Sequence, residues 1–144
     1  MKERLNILLV EDNFEHLRLT KYILKQNGVD GDLFVVRDGE EAMDFLYRRN
    51  KYANVEKNPR PSLVLLDLNI PRVNWKELLR IIKADGTLKD IPVVVVSSSD
   101  RPEDVAFAEQ HGATAYISKA SGFEALKAAL SNLHKFTADG KTPH

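Results

Sequence analysis

Three acids, one hydroxyl and one amine stand at the ends of short apolar runs in this 144-residue chain. Asn6–Val10 stops at Glu11-Asp12, Leu63–Leu66 stops at Asp67, Val93–Val96 stops at Ser97, and Ala115-Tyr116-Ile117 is followed closely by Lys119. Any one of these polar residues could serve as a turn former, and Asp12 or Asn13 could cap the helix that follows. Brought together, Glu11, Asp12 and Asp67 would crowd three negative charges that repel unless a cation sits among them. Carboxylate oxygens without sulfur or imidazole suit a hard ion, and Mg2+ takes a few such ligands while keeping several waters. With the Lys119 amine added, the pocket would be neutral and suited to a phosphoryl group. An aspartate carboxylate can itself attack phosphorus to form an acyl phosphate. Asp67, ending the middle run, is the natural nucleophile, with Glu11 and Asp12 holding the metal.

The elements that must position these groups alternate along the chain. Phe14, Leu17, Tyr22, Ile23 and Leu24 mark a helix that stops at Asn27-Gly28. Leu33–Val36 reads as a second strand, and Asp38-Gly39-Glu40-Glu41 opens a helix through Ala42, Met43, Phe45 and Leu46. After the third strand, Asn74 and Glu77 form a capping box for a helix through Leu78, Leu79 and Ile82. After the fourth, Asp100 begins a helix through Val105, Phe107 and Ala108 to Gly112. Ser121 and Glu124 form a second capping box, starting a last helix that runs to about Phe136. The pattern is (βα)5. Its strands are continuous apolar runs rather than alternations, as expected of a parallel sheet covered on both faces. In such a sheet the ligand crevice lies beyond the carboxyl ends of the strands, so the polar residues named above share one rim. The connection from Asn50 to Pro61 is polar and reads as a solvated loop. One domain is expected over residues 1–136, with a frayed tail at 137–144.

Composition narrows the function classes. Apolar residues make up 43% of the chain, enough for a core, and 21 Lys+Arg balance 21 Asp+Glu. This neutrality argues against a nucleic-acid or anionic-membrane partner. The absence of cysteine excludes a thiol catalyst and Cys-ligated metal sites. No apolar stretch approaches the roughly 18 residues that span a bilayer, and Met1-Lys2-Glu3-Arg4 does not resemble a signal peptide, so a cytoplasmic protein is expected. His16, His111, His134 and His144 are scattered without metal spacing and read as surface residues. Ser97-Ser98-Ser99 has no histidine at a matching strand end to activate a nucleophile. The first strand–helix turn, Glu11-Asp12-Asn13-Phe14, is acidic and glycine-free, which disfavours a mononucleotide site.

The runs Leu8-Leu9-Val10-Glu11-Asp12-Asn13, Leu65-Leu66-Asp67-Leu68-Asn69-Ile70-Pro71, Ile91–Ser97 and Gly112–Lys119 follow in order. Thirty residues separate Asp67 from Ser97, and twenty-two separate Ser97 from Lys119. Over about residues 5–133 this set resembles the receiver domain of bacterial two-component response regulators. The resemblance implies a doubly wound, flavodoxin-like α/β sheet of order 2-1-3-4-5. It implies that Asp67 is the phosphoacceptor, taking a phosphoryl group from a histidine kinase or phosphotransfer protein. Glu11 and Asp12 match the acidic pair, and the Asn69 backbone carbonyl matches the third protein ligand to Mg2+. Lys119 would contact the phosphoryl oxygens, Ser97 would be the switch hydroxyl, and Tyr116 the aromatic that turns inward with it. Asn69 and Ser99 stand at the two positions that tune self-dephosphorylation. The signal would leave through the face of the fourth helix, fifth strand and fifth helix, to a protein partner or a second copy in a homodimer. The Asp67–Pro71 run and the long loop before the third strand resemble the stand-alone regulators associated with phytochrome-type kinases.

Two departures stand out. Ala120 replaces the proline usual after the lysine; a non-proline cis peptide costs about 3–4 kcal/mol, so Lys119–Ala120 is expected to be trans and Lys119 aimed differently. Trp75 replaces a glycine that tolerates positive φ. The loop from Asn69 to Trp75 is therefore expected to be reshaped, with Trp75 either a surface aromatic over the third helix or a partner-contact or gating residue near the pocket mouth. These departures keep open a phosphorylation-incompetent pseudo-receiver acting as an interaction module. A small aspartate-nucleophile phosphatase is a further alternative, disfavoured because Asn69 stands where such enzymes carry a second acid. Crowding of three acids predicts that millimolar Mg2+ raises the melting temperature through linkage; thermal melts with and without Mg2+ check this, and an unchanged Tm counts against an intact site.

Overall fold

The computed structural model describes residues 5–11, 13–26, 31–54, 56–67, 75–97 and 101–118, with positions 124 and 128. The apolar runs form strands β1 (Leu5–Val10), β2 (Gly31–Val36), β3 (Leu63–Asp67), β4 (Val93–Ser97) and β5 (Ala115–Ser118). They pair in parallel as one sheet of order β2-β1-β3-β4-β5. Between them run helices α1 (Phe14–Gln26), α2 (Gly39–Leu46), α3 (Trp75–Ala84) and α4 (Pro102–Gln110). Positions 124 and 128 are helical, where a last helix is expected. The architecture is the α/β order that the resemblance implies.

Successive residues of β1, β3 and β4 enter two different cores, which explains why these strands carry no polar alternation. Leu8, Val10, Val64, Leu66, Val93 and Val95 face a core closed by Phe45 of α2, by Trp75, Leu78, Leu79 and Ile82 of α3, and by Ala108 of α4. Ile7, Leu9, Leu63, Leu65 and Val94 face the other, closed by Ile23 and Leu24 of α1. Fully burying such a side chain stabilises by about 1.5–3 kcal/mol, so the central strand is the most strongly held part of the sheet.

Local chemistry sets the helix ends. Asp38 caps α2, its Oδ1 accepting the Glu41 N–H at 2.8 Å, while Glu41 reaches back to accept the Arg37 N–H at 2.8 Å. α4 begins at Pro102 rather than at Asp100, which lies outside the described residues; its N-cap, Arg101, makes no side-chain cap. Proline's fixed φ suits the first helical position, and its missing N–H costs nothing there. α4 ends in a Schellman motif: Ala113 N–H donates to Ala108 O at 2.9 Å, Gly112 N–H donates to Glu109 O at 3.3 Å, and Gly112 takes φ +89°. The Asn74 and Ser121 caps lie outside the described residues.

The connection after α2 is largely exposed, as expected of a solvated loop, but Tyr52 anchors it. Asn50–Tyr52 forms a 3-10 turn, and the Tyr52 ring packs 5.1 Å from Phe45, which in turn lies 5.6 Å from Phe34. The Tyr52 hydroxyl donates to Glu41 at 2.7 Å, and Lys51 Nζ pairs with the same carboxylate at 2.9 Å. Partial burial alone would raise the Glu41 carboxyl. The hydrogen bonds from Lys51, Tyr52 and the Arg37 N–H outweigh it and hold the carboxyl down at about 2. Asp85 is likewise held at about 2 by Thr87 and by the Tyr47 hydroxyl.

Two expectations follow. Both carboxyls titrate lower in the folded chain than in the unfolded one, where they sit near 4, so their stabilisation is complete above about pH 4.5 and is lost as the pH falls toward 2. Tm measured by circular dichroism should fall through that window, and Glu41→Gln should flatten the fall; an equally steep fall in the variant contradicts the assignment. Gly112→Ala forces a side chain into a left-handed conformation at a cost of about 1–2 kcal/mol, lowering Tm by several degrees; an unchanged Tm contradicts it.

Candidate functional site

The register of the sheet decides which polar residues share the rim. Val10 pairs with Val36 on one side and with Leu66 on the other, Leu66 pairs with Val95, and Val95 with Tyr116. The next residue of β1's chain, Glu11, donates its N–H to Val36 O at 2.9 Å, extending the ladder by one position. Glu11 therefore falls in the same row as Asp67, which pairs with Val96. One row further out, Ser97 pairs with Ser118. The chain thus brings Glu11, Asp67 and Ser97 to the carboxyl end of three adjacent strands, as the sequence leads one to expect.

Glu11 and Ser97 are among the few polar residues inside: 5% and 1% exposed. A carboxylate so placed needs hydrogen-bonding partners. Glu11 Oε2 accepts the Asn13 N–H at 3.2 Å and lies 3.8 Å from His16 Nδ1. Asn13 in turn caps α1, its Oδ1 accepting the His16 N–H at 3.0 Å and its carbonyl accepting the Leu17 N–H at 3.0 Å. The start of α1 and the orientation of Glu11 are therefore one structure. A crevice of about 40 Å3 opens beside it, lined by Glu11, Asn13, Phe14, Leu17 and Arg37. Tyr116 is half-buried against the core that holds α3 and α4.

Asp12, Asn69, Ser99, Lys119 and Ala120 lie outside the described residues, as does the side chain of Asp67. Among the described residues no group of three or more His, Cys, Asp or Glu is arranged to hold a metal. The donor chemistry at the rim, carboxylate oxygen from Glu11 next to the strand position of Asp67, is nonetheless of the kind a hard divalent cation takes.

Two sequence readings need correction. Trp75 is not a surface aromatic: it is the first residue of α3, only 9% exposed, its ring edge-on to Phe107 of α4 with centroids 5.6 Å apart. Nor are all the histidines plain surface groups, since His16 meets Glu11 and the His111 ring stacks on Phe107 at 4.0 Å. The sequence reading also missed Lys76 and Asp104, which join the Trp75–Phe107 contact. The usable signal is that Asp104, Phe107, Ala108 and His111 recur at three- and four-residue spacing, the mark of one helix face turned toward a neighbour.

Comparison with known proteins agrees with this geometry. The family model described as "Response regulator receiver domain" matches residues 7–131. Response regulator Rcp1 of Synechocystis sp. is 38% identical over 130 residues, covering 90% of this chain and 86% of Rcp1. The crystal structure of the phosphorylated cyanobacterial phytochrome response regulator RcpA superposes with TM-score 0.84 at 37% identity, covering 97% of this chain and 98% of that one. The Mn2+-bound form of Rcp1 superposes with TM-score 0.82 at 35% identity, covering 97% and 99%. A strand order, a polar rim and a sequence match over most of the chain converge: this protein belongs to the response regulator receiver domain family.

Proposed function

We propose that the chain is a phosphorylatable signalling switch in which Asp67 accepts a phosphoryl group from a histidine kinase or phosphotransfer protein, with Mg2+ as cofactor. The observation that carries this reading is the placement of buried Glu11 in the sheet row of Asp67, with buried Ser97 one row beyond on the next strand. Beyond its contacts with Asn13 and His16, buried Glu11 sits next to the strand position of a second acid, a placement that a shared cation would favour.

In this reading Glu11, Asp12, Asp67 and the Asn69 carbonyl hold the ion, which, when bound, offsets the acidic charge and that of the incoming phosphoryl group. An Asp67 oxygen attacks phosphorus; the bond from phosphorus to the donor nitrogen breaks, an acyl phosphate forms, and the donor imidazole takes up a proton. Lys119 binds the phosphoryl oxygens, Ser97 moves to donate to them, and Tyr116 follows into the space Ser97 vacates. Asn69 and Ser99 set how readily water removes the group. Residues 1–136 form the receiver and 137–144 its tail, acting in the cytoplasm.

RcpA is described as a phytochrome response regulator, and Rcp1 has been crystallised with Mn2+. These relatives support a phytochrome-type kinase as the donor and a divalent ion at the acidic site. A protein partner or a second copy of the chain receives the signal. Trp75 and Ala120 motivate the alternative of an interaction module without phosphoryl chemistry. Incubation with Mg2+ and acetyl phosphate separates the two. The proposal expects a mass increase of one phosphoryl group, present in the wild type and absent in Asp67→Asn. No increase would favour the alternative, and one that survives in Asp67→Asn would overturn Asp67 as the acceptor.

A further inference from the structure

Four side chains bridge α3 and α4 immediately downstream of the rim. Trp75 and Lys76 open α3, eight residues after Asp67; Asp104 and Phe107 lie in α4, which opens five residues after Ser97. The Trp75 and Phe107 rings meet edge to face at 5.6 Å, a favoured aromatic geometry. Lys76 Nζ stands near both rings, 5.6 Å from the Trp75 centroid and 5.2 Å from the Phe107 centroid. It also lies 3.3 Å from Asp104 Oδ1, in a side chain only 4% exposed. The other oxygen, Oδ2, takes Arg101 Nε and a second guanidinium nitrogen, each at 3.2 Å. The His111 ring extends the stack at 4.0 Å from Phe107.

A buried carboxylate is costly, and removing one partner of such a pair is more costly still. Opening the arrangement to water would free the Asp104 carboxylate from Lys76 and part the two rings. The arrangement joins the chain that follows the proposed phosphoacceptor to the chain that follows the proposed switch hydroxyl.

We propose that Trp75 and Lys76 are positioning residues for the switch: with Asp104 and Phe107 they clasp α3 to α4 in the unphosphorylated chain, and the clasp opens when Asp67 carries the phosphoryl group. This rests on the phosphoacceptor reading given above. In this proposal the opened chain is the form from which Asp67 reacts with the donor, so a weakened clasp speeds phosphorylation.

Trp75 is the sole tryptophan, so its fluorescence reports the clasp directly, while intact mass reports phosphorylation independently. In the wild type, acetyl phosphate with Mg2+ should red-shift and dim the emission in step with the mass increase. Lys76→Met should show the shifted emission before any donor is added and a phosphorylation rate raised several-fold; Lys76→Arg should restore both. Phe107→Leu, which leaves the ion pairs in place, should move both readouts the same way and guards against a Lys76→Met chain that fails to fold. A full mass increase with unchanged Trp75 emission overturns the clasp and leaves the phosphoacceptor reading standing. Variants that lose thermal stability but keep the wild-type emission and rate also overturn it. No mass increase in the wild type overturns both.

Discussion

The parallel pairing of β1 with β3 is the constraint from which the rest follows. Val10 lies opposite Leu66, and the next residue on each strand is an acid. The pairing is fixed by burial on both faces: alternate residues of each strand enter separate cores, so a slip of one position would send every side chain to the wrong side. A rigid apolar framework thus brings two acidic positions to one row of the sheet.

Around that row, each neighbouring element does two jobs. Asn13 caps α1 and also donates its N–H to Glu11, so the helix start and the carboxylate orientation are set together. Ser97 ends β4 in a fully buried position while heading the connection into α4. Trp75 closes the core beneath α3 and simultaneously touches α4. Core packing and the contact between helices thus share residues. Away from the rim, the Glu41–Lys51–Tyr52 and Asp85–Tyr47–Thr87 networks tie the connections at the periphery without reaching the acidic row.

Much of this was legible in the sequence because it rests on strong local signals. Continuous runs such as Leu63–Leu66 and Val93–Val96 announce doubly covered parallel strands, and polar residues that break them mark the rim. The cap at Asp38 and the stop at Gly112 follow from side-chain and backbone rules that act over a few residues. What the sequence hid depends on contacts between distant segments. Tyr52 reads as part of a polar loop until Phe45 and Glu41 are placed beneath it. Trp75 reads as an exposed replacement for glycine until Phe107 is placed against it. Asp104 reads as an ordinary first-turn acid, although α4 buries it and Lys76 meets it from another helix. No spacing rule connects residues that are near only because two helices pack.

The most direct measurement is calorimetric titration of Mg2+ into the wild type, Glu11→Gln, Asp67→Asn and the double variant. If the two carboxylates hold one ion, each single change should weaken binding strongly, and the double change should cost clearly less than the two effects added together. Mg2+ binding that survives both substitutions, or losses that simply add, would mean that the two acids do not share an ion.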